Sequence, residues 1–273
     1  MRHSIGALTL GHSDLTPVAG ELDQRHPAAS YEGRLALNWF NYYLRGQGTQ
    51  PAQNFSYFRD WAYTDGNAAA AYTSAPSYPV GAEQTWYLSG GDTSVGGTLV
   101  SDPGAITPGR SAYTSVAPVG PNYTETSYAD QSQPVTDPPG SVLRFTSPAL
   151  ARPVDVVGSP RLTVRLDAPT SAGTQSLGTA GQLVLFAKLY DIGPDGTSVE
   201  LPHRLISPAR VAPVTTPVSI ELPGIVHRFA TGHRLAVVLA GGDMAYRASN
   251  ITLQPVSLRT GTADQQLNLP VTG

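Results

Sequence analysis

Residues 161–167 read Arg161-Leu162-Thr163-Val164-Arg165-Leu166-Asp167, apolar and polar in strict alternation. Successive side chains of a strand point to opposite faces, so Leu162, Val164 and Leu166 share a buried face and the polar residues share a wet one. Val218, Ile220 and Leu222 repeat the pattern. Leu183 to Tyr190 is almost continuously apolar, as expected of a central strand covered on both faces. Arg234 to Ala240 is a second such run. Between them, Gly193-Pro194-Asp195-Gly196 spells a turn: proline presets φ and glycine accepts a positive φ. Short strands separated by turn residues predict a β-sandwich or jelly roll, not a βαβ fold.

Composition agrees. Of 273 residues 40% are hydrophobic, enough for a core, while charged residues are 14% beside 28 Gly and 24 Pro. Such a chain favours strands and turns over helices. A net charge of -3 without a Lys/Arg cluster argues against a nucleic-acid partner. The absence of cysteine removes disulfides, Cys-zinc sites and thiol nucleophiles. No apolar run approaches the ~18 residues of a membrane span. The opening Met1-Arg2-His3-Ser4-Ile5-Gly6-Ala7-Leu8-Thr9-Leu10 does not read as a signal peptide, because Gly11-His12-Ser13-Asp14 follows with no small-residue cleavage site. It reads as a chain entered in mid-strand.

Residues 5–10 are expected to be a buried strand, followed by a polar loop to about Pro27. The periodicity predicts one helix, from Tyr31 to Leu44. Ala36, Trp39, Phe40 and Tyr43 share a face, Ser30 caps the start, and Arg45-Gly46 suits the end. That apolar face predicts self-association unless something covers it. Residues 47–80 read as a linker. Their aromatics (Phe55, Tyr57, Phe58, Trp61, Tyr63) are expected to pack between neighbouring domains. Residues 101–140 are expected to form a long surface excursion.

Seven segments resemble, in order, the C-terminal region of X-Pro dipeptidyl-peptidases and cocaine-esterase-like serine hydrolases. Leu37-Asn38-Trp39-Phe40-Asn41-Tyr42-Tyr43-Leu44-Arg45-Gly46 resembles the last helix of that family's hydrolase domain. Thr85-Trp86-Tyr87-Leu88-Ser89-Gly90-Gly91 is similar to the strand that opens its sandwich domain, and Ser101-Asp102-Pro103 to a motif shortly after. Leu143 to Leu150, Val157 to Leu162, Lys188 to Gly196 and Phe229 to Leu235 supply the rest. The resemblance implies a jelly-roll, galactose-binding-like β-sandwich preceded by the end of an α/β-hydrolase domain. The corresponding divisions are 1–48 for the hydrolase remnant, 49–80 for the linker and 81–273 for the sandwich.

An α/β-hydrolase uses Ser, an acid and His in that chain order, with His as the base that activates the serine. The His lies in a loop between a late strand and the final helix. By resemblance that position is His12, although the Trp of the family's local pattern is absent here. His26 is a second candidate, and an ordinary loop histidine is the remaining reading. Gly11-His12-Ser13-Asp14-Leu15 imitates a nucleophile elbow but lacks the final Gly and runs into a loop, so Ser13 is rejected. The family's Ser and Asp are expected upstream. The chain alone is therefore expected to be inactive, with peptide or ester substrates belonging to the intact enzyme, whose sandwich is implied to pack on the catalytic domain. No cofactor and no metal is expected. Asp191 and Asp195 flank a turn rather than converging with the six or so oxygens that calcium needs. His203, His227 and His233 lack metal-site spacing and are expected to be structural, His233 by serving backbone groups of its turn. The alternative reading is a non-catalytic module, either structural or carbohydrate-binding through Trp86, Tyr87 or the tyrosines of 113–128.

Overall fold

The computed structural model describes residues 27–62, 68–92, 95–115, 137, 140–204, 206–243 and 254–272. The expected strand at 5–10 lies outside them. The chain divides into two compact units, residues 1–80 with 225–228, and residues 81–224 with 229–273.

In the first unit, helix α1 spans Tyr31–Arg45. Ser30 caps it, its Oγ accepting from Gly33 N at 3.0 Å. Glu32 sits in the first turn and Arg45 in the last, each matched to the helix dipole. Gly46 ends the helix in the left-handed region at φ 63. The segment read as a linker carries strands β1 (Phe55–Phe58) and β2 (Tyr72–Ala75), paired antiparallel. Tyr63 lies outside the described residues, and the other aromatics of the segment pack within this unit. The rings of Tyr31 and Tyr72 stack at 4.4 Å, Phe58 meets Tyr72 edge-on at 5.1 Å, and Arg228 lies 4.9 Å over Trp61. The Tyr72 hydroxyl donates to Glu32. Two short strands too brief to pattern-match from sequence are thus made stable by aromatic area rather than by alternation.

The second unit is a β-sandwich. Its strands are β3 (Ala82–Asp92), β4 (Gly96–Val100), β5 (Gly109–Ser115), β6 (Val142–Thr146), β7 (Val154–Gly158), β8 (Arg161–Val164) and β9 (Leu166–Asp167). After a short helix α2 (Pro169–Thr174) come β10 (Leu183–Ile192), β11 (Val199–Glu200), β12 (Ser207–Val211), β13 (Val218–Glu221), β14 (Ile225–Phe229, its first four residues counted in the first unit), β15 (Arg234–Ala240), β16 (Gln254–Thr260) and β17 (Gln266–Thr272). The large sheet runs β11-β10-β15-β6-β4-β3-β17-β7, with β12 also on β10, and β8 joining β17 to β13. The small sheet is β5-β16-β9 and packs against β3 and β4.

Strand β10 explains its own apolar run. Leu183, Leu185, Ala187 and Leu189 are buried on one face, Phe186, Tyr190 and Ile192 on the other. The alternating stretch 161–167 holds in burial but not as one strand. It breaks at Arg165, whose N–H donates to Gln265 Oε1 at 3.1 Å, and β8 and β9 go to different sheets. Strands that switch sheets in this way make the corners of a sandwich. The turn at 193–196 forms as expected, with Gly196 N donating to Gly193 O at 2.9 Å and Gly196 at φ 72.

The pair β4 and β6 runs parallel, with Gly96 opposite Arg144. Gly96 has φ +112, and a Cβ there would lie 2.0 Å from the Arg144 carbonyl oxygen. Both backbone conformation and space therefore demand glycine. Gly96→Ala is expected to lower the unfolding free energy by about 2 kcal/mol or more. A urea midpoint equal to that of the parent chain would contradict this.

Candidate functional site

The triad candidate His12, the second candidate His26 and the rejected Ser13 all lie outside the described residues. Among the described residues, two polar clusters of the sandwich and one groove of the first unit stand out.

The first place is where three of the family-like segments meet. Ser147 N donates to Leu235 O at 2.8 Å, and Ser147 Oγ accepts from Leu235 N at 3.0 Å. Leu150 N donates to His233 O, and Gly232 N to Leu150 O, both at 2.8 Å. Asp191 faces Leu235 across the β10–β15 ladder, which carries its carboxylate beside the preceding turn. There the His233 Nδ1 lies 2.8 Å from Asp191 Oδ1. The His233 ring thus meets a carboxylate rather than the backbone groups it was expected to serve. The backbone of the turn is served by its own N–H and carbonyl groups, and the ring goes to a buried carboxylate. Asp195 turns the other way. Its Oδ1 accepts from Thr197 N and Ser198 N, and its Oδ2 from the Ser198 hydroxyl at 2.6 Å. These bonds, Ser198 foremost, hold its carboxyl well below the usual carboxylate range. The two aspartates thus serve separate turns and partners.

The second place is a buried charge cluster that sequence reading missed. Arg144, Val238 and Lys188 face one another across β6, β15 and β10. They occupy the apolar face of Phe186, Tyr190, Ala236 and Ala240. The Lys188 side chain is only 3% exposed. Its Nζ lies 3.0 Å from Asp137 Oδ1 and 2.9 Å from Asp243 Oδ2. The Tyr190 hydroxyl donates to Asp137 Oδ2 at 2.8 Å. Arg144 Nη2 lies 3.6 Å from the same oxygen, with its guanidinium 5.5 Å over the Tyr190 ring. A lone buried ammonium costs several kcal/mol, and the two carboxylates offset that cost. The signal in the sequence was one lysine inside an otherwise apolar run. Burial first, and then the Asp137 charge, push the Tyr190 phenol well above its ordinary 10.0. Burial alone raises Tyr113.

The alternative reading of a carbohydrate-binding module rests on Trp86, Tyr87 and the tyrosines of 113–128. Trp86 and Tyr113 are buried. Tyr87 is half-buried, and residues 116–128 lie outside the described ones. Rings that fill a core present no face to a ligand.

The third place is an open groove of about 1030 Å³ in the first unit, lined by Asn38, Trp39, Tyr43, Gln50, Phe55 and Tyr78 among others. Trp39 and Tyr43 bring part of the helix face expected to be buried to its wall. On that face Trp39 is half-buried, while Phe40 is 51% exposed, Tyr43 46% and the neighbouring Leu44 71%.

The two raised phenols give a pH dependence. Folding keeps both protonated, so above 10.0 the native state binds more protons than the unfolded chain. Stability is full below that pH and falls as pH rises through it, by up to about 1.4 kcal/mol per pH unit for each phenol. Tyr190→Phe and Tyr113→Phe are each expected to flatten the decline in urea stability above pH 10.0. An unchanged slope in either variant would assign the decline elsewhere.

The profile of the X-Pro dipeptidyl-peptidase C-terminal non-catalytic domain matches residues 42–263. No curated protein matches the chain. Among solved structures, the chain is similar to a CocE/NonD family hydrolase from Staphylococcus aureus, with a TM-score of 0.60 at 17% identity over 93% of this chain and 48% of that one. It is also similar to an aminopeptidase from a marine sediment archaeon, Thaumarchaeota archaeon, with a TM-score of 0.60 at 13% identity over 87% of this chain and 43% of that one. An α-amino acid ester hydrolase gives 0.58 at 16% identity over 89% and 46%. The chain thus spans less than half the length of each structure, and at these identities the likeness is one of fold.

Proposed function

This chain belongs to the family of X-Pro dipeptidyl-peptidase C-terminal non-catalytic domains, and on that premise we propose that it serves an α/β-hydrolase domain lying upstream of it. Residues 81–273 are the accessory sandwich, 1–48 the end of the hydrolase domain, and 49–80 a connection that carries the β1–β2 pair. The activity of the whole is acyl hydrolysis of a peptide or ester substrate by a serine nucleophile. His12 is the base of the triad, and the upstream domain supplies the serine and the acid. A histidine base without a nucleophile has nothing to activate, so the 273 residues alone are inactive.

The observation that carries this reading is the uncovered apolar face of α1. Phe40, Tyr43 and Leu44 are exposed on a well-capped amphipathic helix, with no core among the described residues to receive them. An exposed apolar stripe of that kind marks a missing partner surface. The resemblance of residues 37–46 to the last helix of a hydrolase domain supplies the partner.

The 273-residue chain is expected to show no hydrolysis of nitrophenyl esters or X-Pro anilides and no labelling by a fluorophosphonate. Turnover or labelling by that chain alone would overturn the reading. In a polypeptide that includes the upstream domain, His12→Ala is expected to lower kcat by roughly three orders of magnitude or more. Full activity of that variant would remove His12 from the triad and leave His26 to be tested in the same way. In source cells, an antibody against residues 81–273 is expected to detect a polypeptide well above 28.7 kDa. A native band at 28.7 kDa would count against an upstream domain in the same chain.

A further inference from the structure

The Lys188 cluster has a composition beyond what an ion pair needs. One ammonium meets two carboxylates, all three side chains 3% exposed or less. A hydroxyl and a guanidinium are both aimed at the far oxygen of one carboxylate. The surroundings are the apolar rows Phe186 with Ala240 and Tyr190 with Ala236. We infer that Lys188 and Asp137 are a site of self-condensation, forming an amide between Lys188 Nζ and Asp137 Cγ with Asp243 as the proton relay. The inference stands apart from the proposed function and would hold whether or not a hydrolase domain lies upstream.

The chemistry follows from burial. Both side chains of the pair are 3% exposed, so the reacting atoms are held together away from water. One proton passes within the pair, from Nζ to Asp137 Oδ1, across 3.0 Å. The neutral Nζ then attacks Cγ, and the carbonyl electron pair moves onto Oδ2. That oxygen already accepts from the Tyr190 hydroxyl and faces Arg144, so donors stand where the negative charge develops. Nζ sheds its second proton to Asp243, 2.9 Å away. Asp243 returns it to Oδ1 as the Cγ–Oδ1 bond breaks. One C–N bond forms, one C–O bond breaks, and both protons lost by nitrogen leave in one water. Lys188 and Asp137 end neutral, Asp243 ends as it began, and no oxidant, reductant or cofactor takes part. Fixed proximity supplies the effective concentration that amide formation lacks in open water.

The product ties residue 137 to the central strand of the sandwich, 51 residues away in sequence. A cross-link of that span restricts the unfolded chain as a disulfide does. This chain has no cysteine with which to make one.

Mass spectrometry of the full-length chain tests the idea without a variant. Condensation lowers the intact mass by one water, about 18 Da. In a tryptic digest, Lys188 is expected to resist cleavage. The peptide from Leu166 to Arg204 is expected to be joined to the peptide from Ser111 to Arg144. Full mass, with cleavage after Lys188 and all peptides separate, overturns the inference. A link to the peptide from Leu235 to Arg247 overturns the choice of Asp137 as electrophile. Asp243→Asn is expected to leave the chain at full mass, and a linked Asp243→Asn chain would overturn the relay. If that variant does not fold, the map of the parent chain remains decisive.

Discussion

Strand β10 is buried on both faces, and the sandwich is arranged around that constraint. A strand without a wet face must satisfy every polar group inside the protein. Its backbone does so by pairing with β15 on one side and with β11 and β12 on the other. Its one ammonium does so by drawing in Asp137 and Asp243. The positions of those two carboxylates are thereby dictated by a charge in the middle of a sheet.

Beside this buried charge lies a second polar knot, at the end of the same strand. Asp191 closes β10 and holds the ring of His233, while the turn that presents His233 is latched by backbone bonds to Leu150. Ser147 contributes from a third segment through both its backbone and its hydroxyl. Three stretches that resemble family motifs are thus one structural junction. Their recurrence in a non-catalytic domain needs no active-site role, because the junction joins β6, β10 and β15.

The first unit obeys a different logic. Its hairpin is held by stacked aromatics, and its helix is capped at both ends yet leaves Phe40, Tyr43 and Leu44 in solvent. Good local signals build the helix, but an amphipathic helix gains most of its stability from packing its apolar face. Among the described residues that contribution is missing from α1.

Much of the fold was legible in the sequence because it is written locally. Alternation over 161–167 assigned the buried face, the run 183–190 assigned the central strand, and Gly193-Pro194-Asp195-Gly196 assigned its turn. Ser30 and Gly46 marked the ends of α1 within a residue. Each depends on side-chain period or on the φ preference of one residue. The break at Arg165, the hairpin hidden in a presumed linker and the burial of Trp86 and Tyr113 were not legible. Those depend on which strand lies alongside. The candidate base His12 is a reading of sequence alone. The partners of Lys188 and His233 were decided by tertiary structure alone. Asp137 and Asp243 are ordinary acidic residues until pairing across β6, β15 and β10 brings them to a lysine from which water has been excluded, and Asp191 until the same pairing sets it beside the His233 ring.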